Sequence, residues 1–296
     1  MSAPLSPALL LQAHGLHARK ALSQNFLSDP HLPSQIAEAG GAGPGELVFE
    51  IGAGLGTLTR AIADRGAAVR AIEYDPALLE IAQRELATYE SVEVTLGDVR
   101  EQSWSALAEQ LGRPPLVYGN LPYALSTEIL LGLLDEAPYW RRACLLVQKE
   151  FAERVSAPPG DRRCGAISAY TSLLTWATLL FEVPPSAFTP PPKVDSALLI
   201  LERRPAPAVE VGDLRTFRTV VRALFNQRRK MARRALRSIT QEPEQLLNAA
   251  GLAPETRGER FTLEELGRLS LAYAALRQGE AGSESSSRGE EKGTGE

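Results

Sequence analysis

Residues 120–123 read Asn-Leu-Pro-Tyr and place several groups that could hold a planar amine at one point of the chain. The side-chain oxygen of Asn120 can accept a hydrogen bond, and Pro122 can hold the carbonyl of Leu121 facing outward. The ring of Tyr123 can stack on a base. Acceptors aimed at an adenine or cytosine amine would favour its pyramidal, nucleophilic form. The tetrapeptide therefore predicts chemistry at an exocyclic amine, although asparagine and proline are also common in plain turns.

A glycine-rich turn, Glu50-Ile-Gly-Ala-Gly-Leu-Gly56, follows an apolar run and precedes a helical pattern. Its glycines would let the backbone approach a ligand closely. Glu73 ends the next apolar run, and an acid about 20 residues after such a turn suits ribose hydroxyls. Gly97-Asp98 ends the third run, where a carboxylate can accept from an adenine amine. Together these positions predict a nucleotide-containing ligand.

The spacing of the glycines and the charge beside them discriminate between nucleotide ligands. A dinucleotide fold uses G-x-G-x-x-G to seat a pyrophosphate on a helix N-terminus. Here the pattern is G-x-G-x-G, and Glu50 precedes it. That carboxylate would repel a pyrophosphate but would attract an ammonium and a sulfonium. The turn therefore favours S-adenosyl-L-methionine over NAD, with FAD or a tight turn alone as further alternatives.

Apolar runs alternate with helical patterns, which predicts an α/β fold with a Rossmann-like, mostly parallel sheet. The predicted strands are Leu47–Ile51, Ala67–Ile72, Val92–Leu96, Leu116–Tyr118 and Ala143–Val147, and the predicted helices are Leu58–Asp64, Ala77–Ala87, Trp104–Leu111 and Thr127–Leu134. Thr175–Phe181 and Ala197–Glu202 have no helix between them and predict an antiparallel pair, so that one antiparallel strand lies at a sheet edge.

The chain divides by composition into four predicted segments. Residues 1–18 are expected to form a flexible arm and residues 19–204 a Rossmann-like domain. Residues 205–278 hold helical patterns after a proline-rich linker, so a small all-α domain is expected there. Residues 279–296 are rich in Gly, Ser and Glu, which predicts a disordered acidic tail.

The bulk composition excludes several classes of protein. No apolar run reaches the roughly 20 residues that span a membrane. The two cysteines, Cys144 and Cys164, form no CxxC motif and predict a reducing, cytoplasmic location. The histidines, His14, His17 and His31, all lie near the N-terminus, so we expect no metal site and no histidine base in the core.

Positive charge is concentrated in residues 215–237, which carry nine basic residues and no acid. On a helical wheel one side holds Arg215, Arg218, Arg222, Arg229, Arg233 and Arg237, and the other holds Phe217, Val220, Val221, Leu224 and Met231, with a break near Asn226. Like charges without interleaved acids repel one another, and RNA phosphates would relieve that repulsion. The predicted RNA-binding residues are Arg218, Arg222, Arg229, Lys230 and Arg233. A solvated helix face is the alternative.

Several of these motifs together resemble those of the ribosomal RNA adenine N6,N6-dimethyltransferases. The shared motifs are Ser23–Leu27, Glu50–Gly56, Glu73, Gly97-Asp98 and Asn120–Tyr123. Three later stretches resemble the small-subunit (16S-type) branch of that family: Gln148–Glu150, Phe188–Ser196 and Phe225–Lys230. The resemblance covers roughly residues 17–275.

The resemblance implies roles for individual residues around S-adenosyl-L-methionine and the target base. Asn25 and Leu27 would contact the cofactor, and Gly52 would line its methionine end. Glu73 would hold the ribose and Asp98 the adenine of the cofactor. The residues expected at the reacting amine are Asn120, which also faces the cofactor, Leu121 through its carbonyl, and Tyr123 and Phe188, which would sandwich the flipped adenine.

The resemblance also implies the substrate. It is a pair of adjacent adenines in the hairpin loop near the 3′ end of 16S rRNA, within the assembling small ribosomal subunit. Each adenine would receive two methyl groups from a monomeric enzyme. Three rivals stay open: a large-subunit rRNA adenine methyltransferase of the antibiotic-resistance type, a non-catalytic RNA-binding assembly factor, and an NAD dehydrogenase.

Overall fold

The structure is a computed structural model that describes residues 6–19, 22 and 24–290, with side chains described to residue 278. The nine strands are β1 (Phe26–Leu27), β2 (Leu47–Ile51), β3 (Ala68–Glu73), β4 (Val92–Leu96), β5 (Leu116–Asn120), β6 (Arg142–Gln148), β7 (Thr175–Val183), β8 (Phe188–Thr189) and β9 (Ser196–Arg203). The helices are α1 (Pro7–Ala13), α2 (Leu32–Ala39), α3 (Thr57–Asp64), α4 (Pro76–Glu85), α5 (Trp104–Gln110), α6 (Ser126–Asp135), α7 (Lys149–Ser156), α8 (Ala166–Leu174), α9 (Leu214–Asn226), α10 (Ala232–Ala235), α11 (Pro243–Ala249) and α12 (Leu263–Glu290).

The chain forms two compact units. The first comprises Met1–Ser156 and Thr175–Arg204, and the second comprises Ala157–Leu174 and Pro205–Glu296. The two units divide at Arg204, but residues 157–174 join the second unit and not the first. Helix α8 explains this difference, because it buries its apolar side chains against α9 and the guanidinium of Arg218 lies over the ring of Tyr170.

A seven-stranded sheet, in the order β4-β3-β2-β5-β6-β9-β7, forms the centre of the first unit. Strands β2 to β6 pair in parallel, as the alternation of strands and helices predicts. The antiparallel strand is β9, which lies one position in from the edge, while β7 forms the edge itself. After β6 the chain passes through two helices, α7 and α8, and forms the edge strand β7. Strand β9 then inserts between β6 and β7.

The carboxyl ends of the parallel strands bring the candidate residues to one edge of the sheet. Gly52 follows β2 directly, Glu73 ends β3, Asp98 stands two residues beyond β4, and Asn120 ends β5. Ligands of open α/β sheets bind at this edge. Strands β5 and β6 are buried almost throughout, which fixes the positions of the residues that follow them.

The predicted flexible arm is wrong for the residues that the structure describes. Residues 7–13 form α1, which begins with Pro7 after the N-cap Ser6. Leu10 and Leu11 are buried and belong to one apolar cluster with core residues of the same unit: Phe26, Leu55, Leu78 and Ile81. This apolar face holds the helix against the unit, and residues 1–5 lie outside the described part of the chain.

The second unit is helical, as predicted, but its last helix is longer than expected. Helix α12 continues through residues 279–290, for which the composition predicted disorder. A helix that is already formed extends at little cost per residue, because the unfavourable nucleation step has been passed. Residues 291–296 lie outside the described part. Among the described residues, no helix combines the length and apolar character needed to cross a membrane.

Candidate active site

A cavity of about 330 Å³ opens at the carboxyl edge of the sheet in the first unit. Its walls come from the segment before β1, the glycine turn and the ends of β3, β4 and β5. Among the residues that line it are Gln24, Asn25, Gly52, Gly54, Glu73, Tyr74, Asp98, Val99, Arg100, Asn120, Pro122 and Tyr123. The position and size of the cavity are those of a small-molecule site.

The glycine turn supplies a wall of bare backbone. Gly52, Gly54 and Gly56 have φ values of +77°, +57° and +77°, a region in which other residues are strained. A Cβ added to Gly52 would meet no protein atom within 4 Å, so the turn leaves open space on that side. The amide N–H of Gly54 donates to Oε2 of Glu73 at 2.7 Å. The turn therefore leaves room for a ligand to approach its backbone, and it also orients the carboxylate of Glu73.

Both carboxylate oxygens of Glu73 are already hydrogen-bonded to backbone. Oε2 accepts from Gly54, and Oε1 accepts from the N–H of Asp75 at 2.8 Å. Burial raises the pKa of Glu73, and these backbone donors oppose that rise. Each oxygen keeps a second lone pair. The carboxylate is therefore held rigidly and can still accept from a pair of ribose hydroxyls.

Asp98 is held by Arg100, a residue that the sequence analysis did not single out. The Nε atom of the Arg100 guanidinium lies 3.0 Å from each carboxylate oxygen of Asp98. The backbone N–H of Arg100 also donates to Oδ1 at 2.9 Å. The hydrogen bond from the Arg100 side chain is the main reason why the pKa of Asp98 is lowered. Asp98 is therefore an ionised acceptor at the cavity wall, suited to the amine of an adenine.

Glu50 lies behind the glycine turn and does not line the cavity. Its side chain is 1% exposed, and Oε2 has no hydrogen-bond partner among the described residues. Burial raises the pKa of Glu50 from 4.5 to about 8. A buried acid of this kind is stabilised by a nearby cation. In the protein without cofactor Glu50 is therefore a neutral acid at pH 7 that lies behind the turn, so the structure does not confirm the attraction of a cation that the sequence predicted for its charge.

Glu50 should make the stability of the protein without cofactor depend on pH. The folded protein holds the proton up to about pH 8 and the unfolded chain only to about 4.5, so stability is greatest below the lower value and falls between the two. Replacing Glu50 by glutamine should remove this fall. Urea unfolding at several pH values measures it, and parallel stability profiles for wild type and Glu50→Gln would contradict it.

The amide of Asn120 has a fixed orientation at the end of β5. Its Nδ2 donates to the backbone carbonyl of Asn25 at 2.8 Å. Because a carbonyl can only accept, the amide nitrogen must face Asn25 and the Oδ1 oxygen must face away from it. Asn120 is half-buried and lines the cavity. Its oxygen is therefore available as an acceptor.

The other residues of Asn120–Tyr123 both form a turn and contribute to the cavity wall. The carbonyl of Pro122 accepts from the N–H of Leu125 at 2.9 Å and from Oγ of Ser126 at 3.2 Å, which starts α6. Leu121 is 2% exposed, so only its backbone can face the cavity. The hydroxyl of Tyr123 bonds Oγ of Ser196 at 2.6 Å, which fixes the ring at the cavity wall.

Two residues expected at the site lie elsewhere. Leu27 and Phe188 pair across β1 and β8, and both belong to the main apolar core of the unit. They are 4% and 3% exposed, and neither lines the cavity. The structure therefore does not present Phe188 as an open wall opposite Tyr123. Their side chains point inward because this short ribbon covers the core.

Other cavity residues escaped the sequence analysis. Tyr74, Val99 and Arg100 line the cavity, and each stands within two residues of a predicted position. Gln24 also lines it and lies within the Ser23–Leu27 motif, but no role was predicted for it. Tyr74 is 60% exposed although it is aromatic. The position of these residues next to predicted site residues is the sequence feature that could have identified them.

The comparison with protein families identifies the family of this chain. A family model described as "Ribosomal RNA adenine dimethylase" matches residues 15–274. This chain belongs to the ribosomal RNA adenine dimethylase family. It is therefore a methyltransferase, and S-adenosylmethionine is its methyl donor.

Relatives of the dimethylase family cover nearly the whole chain. The "Ribosomal RNA small subunit methyltransferase A" of Magnetococcus marinus is 39% identical over 264 residues, which are 88% of this chain and 94% of the relative. The protein of the same name from Jannaschia sp. is 40% identical over 260 residues, 86% of this chain and 89% of the relative.

Solved structures of the dimethylase fold are similar to this one. The 23S rRNA methyltransferase ErmE has a TM-score of 0.65 at 28% identity and covers 84% of this chain and 100% of its own. A dimethyladenosine transferase from Plasmodium falciparum has a TM-score of 0.69 at 22% identity and covers 84% and 98%. The second likeness supports the fold alone.

Proposed function

We propose that this chain dimethylates the N6 amines of two adjacent adenines in the 3′-terminal hairpin loop of 16S rRNA during assembly of the small ribosomal subunit. The observation that carries the proposal is the amide of Asn120, held at the cofactor cavity with its oxygen free to accept. The choice of the small subunit rests on the relatives at 39–40% identity, which bear that name.

The bound cofactor supplies a methyl group on a sulfonium, and the chain supplies position and hydrogen-bond acceptors. Gly52, Glu73 and Asp98 hold the donor, with Asn25 beside them. Oδ1 of Asn120 and the carbonyl of Leu121 accept from the target amine and favour its nucleophilic form. The donor would give up its methyl group to the amine nitrogen and leave as a neutral thioether, and solvent would take the amine proton. Two transfers at each adenine give the dimethylated base.

Tyr123 is proposed as the stacking surface for the flipped adenine. Its hydroxyl is held by Ser196, so the ring can offer a fixed face to a base. Phe188 would reach the other face of the base only if the ribbon of β1 and β8 moved, because its side chain is buried at present. The proposed sandwich therefore includes a rearrangement of this ribbon when RNA binds.

The basic residues of the second unit are proposed to bind rRNA phosphates. Arg222 on α9 and Arg229 and Lys230 in the following turn are exposed, and none has a carboxylate partner within the described part of the chain. Arg233 differs, since it pairs with Glu244 at 3.3 Å and Glu255 at 3.8 Å. Arg218 lies over Tyr170. The three unpaired cations are therefore the main candidates for phosphate contacts.

Removal of these three charges should weaken RNA binding in a salt-dependent manner. For Arg222→Ala, Arg229→Ala and Lys230→Ala combined, the slope of log affinity against log salt should fall by about 2–3, because each contact releases close to one counterion. Filter binding of small-subunit rRNA over a salt series measures this slope. A triple alanine variant of Arg70, Arg84 and Arg277 is the charge-matched control. Equal slopes for both variants would contradict the assignment.

We also propose that the enzyme is a cytoplasmic monomer. The cofactor cavity and the residues proposed at the amine all come from one copy of the first unit, so one chain suffices for the reaction. A cytoplasmic location follows from a substrate that is an assembling ribosomal subunit. Sedimentation of the purified protein would test the oligomeric state.

A second candidate is methylation of large-subunit rRNA, which the likeness to the 23S rRNA methyltransferase ErmE favours. The two candidates differ in the particle that accepts methyl groups. Purified, unmethylated small and large subunits should be incubated separately with labelled cofactor. Label in the small subunit alone supports the proposal, and label in the large subunit alone favours the alternative.

A further inference from the structure

The orientation of Asn120 depends on a backbone carbonyl that belongs to a distant part of the chain. The carbonyl of Asn25 receives the N–H of Asn120 across a gap of 95 residues in sequence. If the amide were reversed, two oxygens would face each other and an N–H group would face the target amine, which is itself a donor. The productive orientation of Asn120 therefore requires the Asn25 carbonyl in place.

The neighbouring residue, Gln24, holds that part of the backbone. Its Nε2 donates to Oδ2 of Asp75 at 3.1 Å, and its Oε1 accepts from the N–H of Arg19 at 2.8 Å. Both ends of the side-chain amide are thus engaged, so its position is fixed by two directional bonds. A shift of Gln24 would move the adjacent carbonyl of Asn25.

Asp75 gives Gln24 a rigid attachment point. It is 4% exposed, and its Oδ1 caps α4 by accepting from the N–H of Ala77 at 3.1 Å. Its own N–H donates to Oε1 of Glu73, the acid proposed to hold the cofactor ribose. Hydrogen bonds therefore link Glu73 to Asp75 and Asp75 to Gln24, the peptide bond joins Gln24 to Asn25, and the Asn25 carbonyl accepts from Asn120.

The part of the chain that precedes β1 is also attached to α4 through α1 and Arg19. Leu10 and Leu11 of α1 are buried with Leu78 and Ile81 of α4, the helix that Asp75 caps. The guanidinium of Arg19 lies 3.4 Å from Oδ2 of Asp75. Both attachments lead to α4, so Asn25 is positioned relative to the end of β3.

We infer that Gln24 is a positioning residue for methyl transfer, which acts by fixing the Asn25 carbonyl and through it the amide of Asn120. The inference rests on the proposed function, because it gives Asn120 a role at the target amine. A part of the chain that precedes the sheet thereby sets the geometry of the acceptor at the end of β5. Displacement of a reacting group by about 1 Å can lower a rate by as much as 100-fold.

The kinetic test replaces Gln24 by leucine or by glutamate. Leucine removes both hydrogen bonds, and glutamate keeps the size but puts a carboxylate against Asp75. We expect the single-turnover rate to fall about tenfold or more, with less than about a threefold change in cofactor Kd. Gln83→Leu is the matched control, because Gln83 donates to the carbonyl of Val94 at 3.0 Å on the same unit. It should leave the rate unchanged.

A spectroscopic test reads the Asn120 amide without any substrate. The sequence has four asparagines, Asn25, Asn120, Asn226 and Asn248, so ¹⁵N-asparagine labelling gives a simple side-chain NMR spectrum. The Asn120 amide signal should shift and exchange faster in Gln24→Leu but not in Gln83→Leu. An unchanged signal together with a wild-type rate would overturn the inference. Lack of activity in the wild type, with the shift intact, would overturn the proposed function instead.

Discussion

Replacing Asn120 by alanine is expected to lower the rate of methyl transfer by about 10²–10³-fold, the usual loss for one group that stabilises a transition state. Cofactor Kd should change only a few-fold, because Gly52, Glu73 and Asp98 remain in place. The physical reason is that Oδ1 acts on the target amine as it becomes a nucleophile, and interactions specific to that stage affect rate more than binding. Single-turnover transfer and calorimetric cofactor binding measure the two effects.

The exposed Asn248 on α11 provides a control for the loss of an asparagine side chain. Asn248→Ala should retain wild-type transfer and cofactor binding. Equal losses of transfer and of cofactor binding in Asn120→Ala would show that Asn120 is a structural residue of the turn. That outcome would remove the acceptor role from the mechanism.

Replacing Glu73 by glutamine is expected to raise the Kd for S-adenosylmethionine by about 100-fold. The amide nitrogen of glutamine would face either the N–H of Gly54 or that of Asp75, where the carboxylate now accepts from both. The ribose loses a charged acceptor, and hydrogen bonds to charged groups contribute about 1.5–3 kcal/mol. The unpaired amide donor lowers the stability of the protein with and without cofactor. Isothermal titration with the cofactor measures the change.

Glu93→Gln is the matched control for Glu73→Gln. Glu93 lies on the neighbouring strand β4 and pairs with Arg70 at 2.8 Å, and its side chain is exposed. We expect its substitution to leave cofactor Kd unchanged. Tight cofactor binding by a folded Glu73→Gln protein would contradict the assignment of Glu73 to the ribose.

The sequence predicts the sheet, and the meeting of the proposed cofactor residues at one edge of it, because both depend on local patterns. Buried parallel strands are short apolar runs, and the residues that follow them must meet at one edge of the sheet. Gly52, Glu73, Asp98 and Asn120 could therefore be placed together before any coordinates were known. The conformation of the glycine turn was also predictable, because its three glycines can adopt the left-handed backbone that the turn requires.

The sequence predicts side-chain direction less well where a segment is short. Leu27 and Phe188 lie on two-residue strands, too short to show which face is buried by alternation. The structure turns both side chains into the core. The order of β7 and β9 at the sheet edge was likewise not readable, because it depends on how α7 and α8 carry the chain past β6.

The contacts of the N-terminal segment were beyond local patterns for a different reason. Gln24 and Asp75 meet only in the folded chain. Asp75 lies outside the sequence motifs, and Gln24 lies within Ser23–Leu27, where the resemblance gives it no role. Helix α1 carries a single turn of apolar residues, which resembles many short surface segments. Its burial against α4 shows that this helix packs on the first unit, whereas composition indicated a loose arm.

The measurement that tests the central claim most directly is the mapping of methyl groups on under-methylated small subunits. The subunits would be treated with purified protein and S-adenosylmethionine, and rRNA fragments would be analysed by mass spectrometry. We predict two adjacent adenines, each with two methyl groups on N6, in the 3′-terminal hairpin loop of 16S rRNA, and none with Asn120→Ala. Methylation at another site, or only of large-subunit rRNA, would contradict the account.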